Sequence, residues 1–136
     1  MSKITVGKVL LTVTALYAGA GPYVFDWNKT HIHNPDWPPH AKFHNAQTMS
    51  IGAALSAAAL TAIWGRGRWS KGRLQVAVGA ASMYWATQLS AAAYPGVAMM
   101  DPPARTSRSG PQTYVAAGAL AINILAVFLE RGHTRR

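Results

Sequence analysis

The stretch Ile51-Gly-Ala-Ala-Leu-Ser-Ala-Ala-Ala-Leu-Thr-Ala-Ile63 carries no charge, and neither does the longer run from Leu74 to Met99. A helix of a water-soluble bundle keeps a charged face for the solvent. Neither run has one to keep. Working outward, the charged residues fall almost entirely between four apolar blocks, at about Ile4 to Phe25, His44 to Trp64, Leu74 to Met99 and Thr113 to Leu129. About 20 helical residues cross a hydrocarbon core ~30 Å thick, so each block is long enough to span a membrane. Charged residues make up 12% of the chain, about half of the ~25% usual in soluble domains. The expected fold is all-α, an integral membrane four-helix bundle, with one transmembrane domain over residues 1-136 and helices at about 4-25, 39-64, 73-99 and 112-130.

The blocks are rich in Ala, Gly, Ser and Thr, as in Val78-Gly-Ala-Ala-Ser-Met83. Small residues let helix backbones approach closely, which is what holds helices together in lipid. A compact bundle follows, capable of forming a homo-oligomer or joining a larger membrane complex. Lys3 and Lys8 before an apolar run ending Ala-Gly-Ala-Gly have the look of a secretory signal, but the run is long for one and is read as a retained helix. The chain has no cysteine, which excludes disulfides, zinc-thiolate sites and cysteine nucleophiles.

A net charge of +9 would point to nucleic acid in a soluble domain. Its distribution points elsewhere. Lys3, Lys8, Arg66, Arg68, Lys71, Arg73, Arg131, Arg135 and Arg136 fall on one side of a four-helix topology, against Lys29, Lys42, Arg105 and Arg108 on the other. The positive-inside rule places both termini in the cytoplasm. The loop after the first helix is then extracytoplasmic, or lumenal. The basic clusters are read as topology signals and contacts to anionic membrane lipids, with no nucleic acid as partner.

That loop and the helix start behind it hold four of the five histidines, His31, His33, His40 and His44. Three prolines lie between Asp26 and Phe43, and proline stiffens a loop by restricting its unfolded alternatives. Asp36 or Trp37 is expected to cap the second helix, with prolines tolerated in its first turn. His40 and His44 are then i and i+4 on one face, which Gln47 and Ile51 continue inward. Imidazoles at i and i+4 can chelate one ion, and Asp26 and Asp101 offer oxygen ligands. Asp26, His31, His40 and His44 are therefore the candidate metal ligands. Mixed His and carboxylate ligation suits a transition metal, iron or copper ahead of zinc. Metal-free acid/base work by His31, His40 and His44 is the alternative, since imidazole titrates near neutrality. A plain interfacial cluster is the third reading.

Gln47, Gln88 and Asn123 are amides in or near the hydrocarbon, where an unpaired amide is costly, so they are expected to face the bundle interior. Asn123 is read as an interhelical hydrogen-bonding residue. Asn45, Gln47 and Gln88 are candidates for binding and orienting a lipophilic small molecule, with Tyr84 and Trp85 lining its pocket.

The block Asp26-Trp27-Asn28-x-Thr30-His31, with Asn34-Pro-x-Trp-Pro-Pro-His-Ala-Lys-Phe-His-Asn-x-Gln-Thr-Met-Ser50, resembles an uncharacterised family of small four-helix membrane proteins from fungi and bacteria. The resemblance covers Asp26, Asn28, His31, His40, His44, Asn45 and Gln47, leaves His33 as the weakest ligand candidate, and implies no activity. In size and helix count the chain is also similar to anthrone oxygenase-like membrane proteins, an analogy of architecture. The reading at this level is a membrane enzyme that oxidises or oxygenates a lipophilic small molecule at a His/Asp metal site. The alternatives are a metal-free isomerase or cyclase, and a non-catalytic accessory subunit.

Overall fold

The computed structural model describes residues 3–99 and 110–134 of the chain. Four helices make up the fold: α1 (Val6–Asp26), α2 (Pro39–Trp64), α3 (Lys71–Ala91) and α4 (Pro111–Glu130). Neighbours in sequence are neighbours in space, and α4 closes the ring on α1. α1 also meets α3 across the short diagonal, whereas α2 and α4 stand apart on the long one. Both described ends of the chain and the α2–α3 turn lie at one end of the bundle, the basic end. The α1–α2 loop lies at the other, the histidine end.

The packing is that of a bundle with lipid outside. Large apolar side chains such as Val13, Val24, Ile124, Leu125 and Phe128 are more than half exposed. The interior is built from Ala15, Ala18, Ala59, Ala77, Ala81, Ala116 and Ala126, with Thr14, Ser56 and Asn123 among them. Water would drive the reverse arrangement. α1, α2 and α4 are each long and apolar enough to cross a membrane. α3 is as long as α1, but it opens on Lys71 and Arg73 and carries Gln75, Ser82, Thr87, Gln88 and Ser90. It packs along all three of the others, which half-buries Arg73, Ser82 and Gln88, while Gln75, Thr87 and Ser90 stay exposed.

Small residues set the α1–α2 crossing. A Cβ on Gly19 would stand 2.6 Å from Ser56 Cβ, and one on Gly52 would stand 2.5 Å from the Ala18 carbonyl oxygen. Pro22, inside α1, has no N–H to give that carbonyl. The Gly52 backbone occupies the space, in the kind of Cα–H···O approach that recurs at helix interfaces. Asn123 bridges three helices in mid-bundle: its Oδ1 accepts from Thr14 Oγ1 at 2.6 Å, and its Nδ2 donates to Ala81 O and Ser82 Oγ. The expectation of an interhelical hydrogen-bonding residue holds.

One boundary and one cap differ from expectation. α3 ends at Ala91 and not near Met99, because Pro95 clashes with continued helix and biases Tyr94 out of the helical region. The chain turns instead, with Gly96 at φ 77°. At the start of α2 the N-cap is Pro38, with no side-chain cap bond. Asp36 is held elsewhere, its N–H donating to Asn34 Oδ1 at 2.9 Å.

The α2–α3 turn is braced by one cation. The Arg73 guanidinium donates to the carbonyls of Thr61, Ala62, Gly65, Arg66 and Gly67 at 2.8 to 3.2 Å. A positive charge there offsets the negative end of the α2 dipole. Ser70 caps α3 by accepting from the Arg73 N–H.

Candidate functional site

The histidine end is organised by Asp26, the last residue of α1. Its backbone carbonyl accepts from the N–H groups of Asn28 and Ile32, folding the loop back over the helix end. Asn28 repeats the device with its side chain. Its Oδ1 accepts from the N–H and hydroxyl of Thr30 at 2.8 and 2.6 Å, and its Nδ2 donates to Phe25 O. Short polar side chains bonding to nearby backbone stabilise successive turns. The loop is a fixed structure that delivers His31 to Asp26.

His31 Nε2 lies 3.9 Å from Asp26 Oδ1, within ion-pair reach and beyond a direct hydrogen bond. Its Nδ1 stands 2.8 Å from Thr30 Oγ1, and its ring packs edge-on to Trp37 at 5.1 Å. The other Asp26 oxygen, Oδ2, accepts from Asn45 Nδ2 at 2.8 Å. The carboxylate is thus oriented from α2 and faced by an imidazole from the loop. The two side chains are 23% and 28% exposed, so a reactant can reach a partly desolvated pair.

His40 and His44 form a second pair. Their Nε2 atoms are 3.0 Å apart, as i and i+4 spacing requires. Both rings are exposed, as are Gln47 and Ile51. The face they share is continuous but points out of the bundle, which corrects the expectation that Gln47 looks inward. The inward face of α2 is Asn45, Met49, Gly52 and Ser56, about 100° round from His44 at 3.6 residues per turn. His33 packs against Trp27 at 5.4 Å, away from Asp26. The four candidate ligands therefore stand as two pairs, and no group of three or more His, Cys, Asp or Glu converges among the described residues. Asp101 lies outside the described residues.

Below Asp26 the interior carries polar atoms without partners. Asn45 Oδ1, Gln88 Oε1 and Trp85 Nε1 are buried and find no hydrogen-bond partner among the described residues. The last two are one turn apart on α3. Leaving such a group unpaired costs roughly 1–3 kcal/mol. Trp85 packs on Tyr17 at 5.5 Å, and Tyr84 lies beside Gly52. Of the residues expected to orient a small molecule, Asn45 and Gln88 each hold a buried amide oxygen in the interior. Gln47 does not.

These features lie within a block that a family model recognises. It matches residues 10–136 and is described as a family of unknown function, DUF6640. The chain belongs to the DUF6640 family. No curated protein and no solved structure matches it. The match takes in both histidine pairs, Asn45 and the interior face of α3. Its reach over all four helices accords with an uncharacterised family and assigns the DUF6640 chain no activity.

Sequence reasoning passed over the polar cluster at the basic end. Glu130 is fully buried, with Oε1 accepting from the Thr5 hydroxyl and Oε2 from Trp69 Nε1 at 2.8 Å. Lys8 is 1% exposed, donates to Lys3 O at 3.1 Å and lies 4.6 Å from the centre of the Trp69 ring. The signal was available: Glu130 is the one acidic residue on the basic side of the chain.

Proposed function

We propose that this protein is a small membrane enzyme that acts on a lipophilic molecule at the histidine end by proton transfer, with Asp26 and His31 as the acid/base pair. The excess of basic residues at the opposite end supports an extracytoplasmic or lumenal position for the site. The observation that carries the reading is the Asp26 carboxylate, oriented by Asn45 and faced by His31, above the unpaired polar atoms of Asn45, Gln88 and Trp85. A substrate hydroxyl would donate to the amide oxygen of Asn45 or Gln88, and a substrate carbonyl would accept from the Trp85 indole N–H, while the apolar body lies against Tyr84 and Trp85. In this reading Asp26 or His31 removes a proton from a carbon beside the carbonyl, whose oxygen takes up the electron pair, and the other returns a proton at a different carbon. The product is an isomer of the substrate.

A second reading has its own observation. The Nε2 atoms of His40 and His44, 3.0 Å apart, are spaced to hold one transition-metal ion, iron or copper by ligand type. Oxidation or oxygenation would then run on the outward face of α2, with further ligands beyond the pair.

Incubation in heavy water of washed membranes from expressing cells grown in ordinary water tests both. Proton transfer predicts a membrane-extractable product of unchanged elemental composition that carries carbon-bound deuterium, lost in Asp26→Asn and His31→Gln. Oxygenation predicts the gain of one oxygen, lost in His40→Ala or His44→Ala. An extract that none of these substitutions alters refutes both in favour of a non-catalytic subunit.

A further inference from the structure

The basic end holds a recess of about 1080 Å³ that the reading above does not use. Lys3, Lys8, Arg66 and Arg68 line it together with Trp64 and Trp69, and no carboxylate is among the residues that line it. Glu130 lies behind the wall, where the Thr5 hydroxyl and the Trp69 indole N–H take its two oxygens. Its charge balances the buried Lys8. The charges of Lys3, Arg66 and Arg68 have no such balance, since no acidic side chain pairs with them among the described residues.

Three features separate this recess from a diffuse run of topology charges. Its rim is braced, because the Gly65, Arg66 and Gly67 carbonyls all accept from Arg73. Its floor contains a lysine 1% exposed, whose three donors meet one hydrogen-bond acceptor, the Lys3 carbonyl, among the described residues. Its side walls are two tryptophans, which hold the Lys8 ammonium over their faces at 4.6 and 5.7 Å. Lys8 is thereby fixed at the base while the two exposed arginines stand at the mouth. Arginine forks match phosphate oxygens in geometry, and tryptophan favours the depth at which lipid headgroups lie.

We propose that this recess binds a phosphate group, carried by an anionic phospholipid headgroup or by a soluble phosphate compound. The lipid source fits the position of the recess at the end of the apolar helices.

Native mass spectrometry of the full chain in detergent tests this, with short-chain phosphatidic acid, phosphatidylcholine, glycerol phosphate and inorganic phosphate as probes. The expected result is preferential retention of phosphatidic acid over phosphatidylcholine, weakened about thirtyfold in Arg66→Gln/Arg68→Gln, or about fivefold for each charge removed. Lys29→Gln/Lys42→Gln removes the same charge at the other end and should change nothing. Both pairs lie on exposed or half-buried surface, and circular dichroism checks that each variant folds. Retention of glycerol phosphate or inorganic phosphate, lost in the same arginine variant, would place the source in solution and support the shared chemistry. Equal losses in the two double variants, no preference for phosphatidic acid, or no phosphate probe retained would overturn the proposal.

Discussion

Gly52→Ala should be among the most destabilising single-methyl additions in the protein. The new Cβ would stand 2.5 Å from Ala18 O, against ordinary van der Waals contact from 3.4 Å outward. α1 and α2 must separate by about 0.9 Å, the difference of those distances, or the carbonyl must tilt. Neither movement is free. Ala18 O belongs to helix backbone, and Tyr84 and Pro22 stand 3.4 and 3.5 Å from the same Cβ. Separation would also strain the Gly19–Ser56 contact. Overpacking a tight interface costs about 1–3 kcal/mol, and alanine regains up to ~1 kcal/mol through its better helix propensity. A net loss of about 1–2 kcal/mol is expected. Gly79→Ala is the matched control, because nothing stands within 4 Å of its Cβ and only the propensity gain applies. Equilibrium unfolding of detergent-solubilised protein should show Gly52→Ala less stable and Gly79→Ala equal to or more stable than the parent. If both variants shift alike, the Ala18–Gly52 approach is not the close contact described and the crossing geometry is wrong. The result bears on function too, since the displaced groups include Tyr84 and the last turns of α1 leading to Asp26.

Asn123→Leu should cost roughly 1–2 kcal/mol by removing the interhelical partner of the Ser82 and Thr14 hydroxyls, the second keeping only the Leu11 carbonyl of its own helix, a loss that unfolding of the Thr14→Val/Asn123→Leu double variant should partly recover. Glu130→Ala leaves Lys8 as a buried cation without its counter-charge and frees the Trp69 indole N–H, so a loss of about 3 kcal/mol or more is expected; Lys8→Met in the same background should restore part of it, and additive losses would show that the two charges do not interact. Copper(II) titrated into the purified protein should bind through the His40–His44 pair, with His40→Ala or His44→Ala abolishing binding and Asp26→Asn leaving it unchanged. Loss of copper binding in Asp26→Asn would instead unite the two pairs into one centre.

The helix count, the up-and-down order and the small-residue character of the interfaces were all legible, because charge and apolarity segregate in blocks whose length the bilayer sets. The shared face of His40 and His44 was legible for a similar reason, since i and i+4 spacing on a helix is local geometry. α3 ends at Ala91, eight residues short of the Met99 that hydropathy marks, because Pro95 stops the helix. Gln47 was misread because an almost uniformly apolar helix gives no amphipathic stripe to show which face is inward. Only the contact of Gly52 with Ala18, and of Asn45 with Asp26, settles that rotation.

By itself, the sequence determined an all-helical bundle of four elements, with a polar, histidine-bearing end and a basic end, because helix length, charge segregation and proline placement act locally or through the solvent. Tertiary structure alone decided that His31 faces Asp26 while His40 and His44 pair on the outward face of α2, and that Lys8 and Glu130 are buried near one another. Those outcomes depend on helix rotation and on contacts between residues as far apart as Thr5 and Glu130. Close packing selects them, and no periodicity in the chain records them.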